Sequence, residues 1–118
     1  MAGALLINPN LVVQRNDRFT TGVVYMPVGL AYVAAALREA GVTVAVIDAF
    51  GAAPRRPRVA GRFMTLGIPP EEVAGRVPPG LDVVFVYANQ VINHSAVEAL
   101  IRAVKGRHPE LPVVVLEN

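Results

Sequence analysis

The chain contains no cysteine. Disulfides, thiolate zinc sites, a cysteine nucleophile and a cysteine-ligated iron–sulfur cluster are therefore excluded within it, and the absence fits a reducing cytosol. An excess of one charge is missing too: the net charge is +2, too small to imply a nucleic-acid partner. The one local excess is Arg55, Arg56, Arg58 and Arg62 in "PRRPRVAGR". Proline and glycine interrupt it and no aromatic repeat accompanies it, so it reads as a solvated loop rather than a polyanion site. No apolar run reaches the ~20 residues that span a bilayer. The start, "MAGALLINPN", lacks the basic region and long apolar segment of a signal peptide. No membrane contact and a cytoplasmic location are expected.

What is present suffices for one core. Of the 118 residues 53% are apolar, which predicts a single folded domain over residues 1–118. "ALLINP" (4–9) is a short apolar run broken by proline, as in a strand buried on both faces. A long polar stretch to Met26 follows, far beyond the few residues usual after a strand in α/β units; such excess length often carries function. Pro27 suits a helix start. Leu30, Val33, Ala34 and Leu37 then mark one apolar helical face, and Gly41 is a natural stop. "VTVAVIDA" is a second strand with Asp48 at its carboxyl end. Residues 51–69, rich in Gly, Pro and Arg, read as loop. "PPEEVAGRV" predicts a short helix with Glu71 and Glu72 in its favourable first turn. "DVVFVYA" is a third strand. Ser95 and Glu98 have capping-box spacing ahead of the stripe Val97, Leu100, Ile101 and Val104, and "LPVVVLEN" is a fourth strand.

Buried strands alternating with helices predict an α/β fold: a Rossmann-like, doubly wound parallel sheet of four strands in order 2-1-3-4, with helices on both faces. A sheet of this type ordinarily gains another helix and strand. The chain is thus expected to be the N-terminal part of a longer enzyme, with the edge at residues 113–116 open to pairing in a homodimer.

Ligands of such sheets sit beyond the carboxyl ends of the strands at the switch point, between the first and third strands in this order. The phosphate-binding signatures fail there. "NPNLVV" replaces GxGxxG, and GxxxxGK[ST] is absent. No metal-ligand spacing and no G-x-S-x-G elbow exists. His94 reads as a helix-start residue near the crevice and His108 as a solvated residue before Pro109. Asp48 fits a cap for the following loop.

"LLINP", a long loop, and then "MPVGLAYVAAALREAGVTVAVIDA" resemble the N-terminal cobalamin-binding domain of cobalamin-dependent radical S-adenosylmethionine enzymes. Those domains have an apolar strand ending Asn-Pro, a Pro-x-Gly-Leu-x-Tyr-hydrophobic-Ala-Ala helix, Leu-Arg-Glu-Ala-Gly, and a strand ending Asp-Ala. "GIPPEEVAGRV…LDVVFVY" and "ALIRAVKGRHPELPVVV" match later segments, so the likeness covers almost the whole chain. The family includes methyltransferases and the magnesium-protoporphyrin monomethyl ester cyclase type. The resemblance implies a domain without catalytic residues of its own. It would hold base-off cobalamin, with no protein histidine on cobalt, against a separate barrel carrying an iron–sulfur cluster and S-adenosylmethionine. Carried over by position, Asn8, Pro9, Pro27, Val28, Gly29, Asp48, Ala88, Asn89, Gln90 and Asn93 would line the site for the dimethylbenzimidazole tail. Glu117-Asn118 stands where the family has Gly-Gly, and "YANQ" where it has small Ser/Thr residues; Tyr87 and Gln90 would narrow the pocket. Two other readings stay open: the same fold as a cofactor-free docking module, and the N-terminal half of a glycosyltransferase.

Overall fold

The computed structural model describes residues 2–14, 27–88 and 90–117. Along the chain run β1 (Gly3–Asn8), β2 (Leu11–Gln14), α1 (Val28–Glu39), β3 (Thr43–Asp48), α2 (Ala49–Ala52), β4 (Pro57–Ala60), β5 (Phe63–Leu66), α3 (Pro70–Gly75), β6 (Val83–Ala88), a 3₁₀ turn (Val91–Asn93), α4 (His94–Arg107) and β7 (Val113–Glu117). An apolar run without alternation needs cover on both faces, and β1 is buried at every position. It pairs in parallel with β3 on one side and β6 on the other, and β7 adds in parallel to β6.

The alternation of side chains along these strands divides the core. Leu5, Ile7, Val84 and Val86 face α3 and α4, where Val73, Leu100 and Val104 are fully buried against them. Leu6 and Tyr87 face the other way, onto Leu30 and Ala34 of α1. Each large apolar side chain so buried contributes about 1.5–3 kcal/mol. The β1–α1–β3 crossover steps one way across the sheet and β6–α4–β7 steps the other. Their helices therefore fall on opposite faces, as a single crossover hand requires. Gly41, at φ +88°, ends α1 as its lack of a Cβ allows.

Counted over all strands the main sheet runs β3-β1-β6-β7, not 2-1-3-4, because a second sheet, β2-β5-β4, intervenes in the chain. The four segments read as strands from the sequence are the four parallel ones. The expectation of a loop over 51–69 is corrected: this stretch holds the end of α2 and the β4–β5 hairpin. Gly61-Arg62 is the two-residue turn, closed by the Ala60–Phe63 pair, with Gly61 at φ +62°. Glycine first in a two-residue turn matches the twist of the strands it joins, and Pro57 opens an edge strand, where a missing N–H is harmless. Leu11–Gln14, read from the sequence as part of the long polar connection, pairs antiparallel with β5. Val13, Leu66 and Met64 of this small sheet pack on Phe50 of α2. The remainder of the long connection, residues 15–26, lies outside the described residues.

Candidate functional site

At the carboxyl end of the main sheet the two faces carry different chemistry. On the α1 face, β1 and β3 end side by side in Asn8 and Asp48, which are register partners. Asn8 Nδ2 donates to Asp48 Oδ1 at 2.8 Å, and the same oxygen accepts the Gly51 N–H at 2.8 Å. Asp48 is thus the N-cap of α2, the structural role its position suggested. Pro27, Val28 and Gly29 form the start of α1 on this face. The Tyr87 hydroxyl lies against Gly29 so closely that a Cβ there would overlap it.

A group of buried carboxamides ties the second sheet over the strand ends. Asn8, Asn10 and Asn93 are the buried polar residues among those described. Asn10 Nδ2 donates to the Ile68 carbonyl at 2.8 Å, and Asn93 Oδ1 accepts the Val12 N–H at 2.9 Å. These partners fix the orientation of each amide. Asn8 Oδ1, Asn10 Oδ1 and Asn93 Nδ2 then have no hydrogen-bond partner among the described residues. Asn93 is the N-cap position of α4 but gives no side-chain cap, because its oxygen is committed to β2. The expected capping box is corrected in turn: α4 begins at His94, so Ser95 lies inside the helix.

On the α4 face a groove of about 460 Å³ opens at the ends of β6 and β7, lined by Ala88, Gln90, His94, Ile101, Val115 and Glu117 among others. Beside it Val91 and Ile92 are 93% and 47% exposed, an apolar rim. His94 Nε2 lies 3.7 Å from Glu98 Oε1. The other histidine, expected to be solvated, instead joins two helices: His108 Nε2 lies 3.3 Å from the Ala74 carbonyl oxygen. The loop arginines sit on and beside the hairpin and are exposed. Arg56 pairs with Glu72 at 3.2 Å, and Glu72 also takes Arg76 at 3.0 Å.

The groove lies at the ends of β6 and β7, the third and fourth parallel strands, and not in the crevice expected between the first and third; of the residues assigned to a tail site by position, Ala88 and Gln90 meet there. Asn8 and Asp48 meet each other on the opposite face, with Gly29 near Tyr87. Pro9 and Asn93 are buried where β2 crosses the sheet end. Asn89 lies outside the described residues. Tyr87 was expected to narrow the pocket, but side chains alternate along β6, so its ring packs on α1 instead. The sequence reading missed Ile101 and Val115 as lining, and it placed Glu117 at the crevice without assigning it to the site. Their helical and strand spacings are legible; that the two rows face each other is not. Among the described residues no group of three or more His, Cys, Asp or Glu side chains is placed to hold a metal ion, and no helix is long and apolar enough to cross a membrane. Compared with protein-family models, curated proteins and solved structures, the chain matches none of them.

Proposed function

We propose that this chain is a Rossmann-like, cytoplasmic cobalamin-binding domain that positions the corrinoid for a separate radical S-adenosylmethionine catalytic domain. The observation that carries the reading is the groove at the carboxyl ends of β6 and β7, floored by small Ala88. Its volume of about 460 Å³ lies in the range of small-molecule sites and suits a nucleotide tail rather than a whole corrinoid. The donor set suits an amide-fringed ligand: the Gln90 carboxamide both donates and accepts, and the Glu117 carboxylate accepts. Val91 and Ile92 would rest against whatever closes over the rim. When bound, the corrinoid would carry methyl or other chemistry, and this chain's residues would supply position and shielding.

A titration of the 118-residue chain with hydroxocobalamin, followed by visible absorbance and calorimetry, tests this. Saturable binding that Ala88→Trp abolishes supports the groove as the site. No binding at millimolar domain favours a cofactor-free docking module. The specific observation on that side is the Tyr87 ring packed against Gly29, which fills the α1 face of the strand ends.

A further inference from the structure

We infer that β7 is a dimerisation edge whose occupant is a second copy of this chain, paired antiparallel about a twofold axis at Val115. β7 is the last strand of its sheet among the described residues. The Val84 N–H donates to the Pro112 carbonyl at 2.9 Å, and backbone direction alternates along a strand. Residues 112, 114 and 116 therefore turn their backbone groups to β6, while Val113, Val115 and Glu117 turn theirs outward. Centred on Val115, the edge is complementary to itself. Val115 exchanges both hydrogen bonds with its copy, and Val113 exchanges both with the opposing Glu117. No like charges oppose each other along the strand. Val114 and Val115, 42% and 39% exposed, would be covered.

Charge selects this occupant. In the antiparallel pair the two α4 helices lie on one face, running in opposite directions. The row His94, Glu98 and Ile101 lines the groove beside Val115 and Glu117, and Lys105 continues that row one turn on. Lys105 Nζ donates to the carbonyls of Pro109 and Leu111 at 2.9 and 3.0 Å, which holds the ammonium at the start of β7. The twofold brings the acidic end of each row, Glu98 and Glu117, to the Lys105 end of the other, and the third donor of each ammonium is available to them. Complementary charges of this kind fix register and partner. The inference does not rest on the corrinoid reading, and its test contains no corrinoid.

The experiment is sedimentation and light scattering of the 118-residue chain from micromolar to millimolar concentration. A monomer–dimer equilibrium is expected. Val115→Pro removes an outward N–H that edge strands do without, so it should abolish the dimer while circular dichroism stays that of the parent. Lys105→Glu should weaken dimerisation roughly tenfold or more by placing like charges across the axis, and Lys105→Glu combined with Glu98→Lys and Glu117→Lys should restore it. A strict monomer, open-ended assembly, or a dimer indifferent to both Val115→Pro and Lys105→Glu overturns the inference.

Discussion

The hydroxyl of Tyr87 on β6 lies against the backbone of Gly29 on α1, at a separation no Cβ would permit. The glycine lets the helix start sit directly on the sheet, and the tyrosine ring fills the space a side chain would take. Gly29→Ala should therefore destabilise the fold by about 1–3 kcal/mol through overpacking. In Tyr87→Phe the overlapping oxygen is gone, so adding Gly29→Ala to it should cost less than in the parent. A double-mutant cycle in urea reads the coupling; strict additivity would refute the contact.

Asp48 joins β3, β1 and α2 through one oxygen, which accepts from both Asn8 and Gly51. Asp48→Ala removes the helix cap and leaves a buried amide donor unpaired, a loss of about 1–3 kcal/mol. Asp48→Asn retains an acceptor oxygen at the same place and should lose appreciably less. Urea midpoints of the two variants check the order; equal losses would mean that the hydrogen bonds are not what Asp48 contributes.

Two glycines with positive φ should respond differently to alanine. Gly61, at φ +62°, has no atom within 4 Å of an added Cβ, so Gly61→Ala should cost only the left-handed strain, about 1 kcal/mol. Gly67, at φ +126°, would press a Cβ into the Ala49 carbonyl oxygen and Asn10 Nδ2. Gly67→Ala should add that overlap to about 1–3 kcal/mol of backbone strain and loosen the joint between the hairpin and α2. Thermal denaturation gives the order, and faster amide exchange at Phe63–Leu66 marks the loosened hairpin. A Gly67→Ala protein as stable as Gly61→Ala would contradict the close approach.

Much of the framework is legible along the chain because each parallel strand and crossover helix declares itself locally. The unbroken apolar runs at Leu5–Ile7 and Val83–Val86 need burial on both faces, and Leu30, Ala34, Leu100 and Val104 recur at helical spacing. The hairpin was also written locally, as a Gly-Arg turn between Pro57–Ala60 and Phe63–Leu66. Its arginine and proline content masks it, because that composition is also that of a loop. β2 had no such local mark. Leu11–Gln14 is a strand only because Phe63–Leu66, about fifty residues away, supplies its partner, and that pairing takes Asn93 from helix capping to β2.

The sequence by itself determined the α/β class, the four parallel strands and their covering helices, since hydrophobic periodicity and helix stops act within a few residues. Only the tertiary structure decided what stands at the carboxyl ends. Strand alternation sent Tyr87 to α1 and Ala88 to the groove, and register set Asn8 beside Asp48. Crossover geometry brought the Glu98–Ile101 row of α4 alongside Val115 and Glu117. Those outcomes depend on contacts between residues distant in the chain, whose partners no local pattern names.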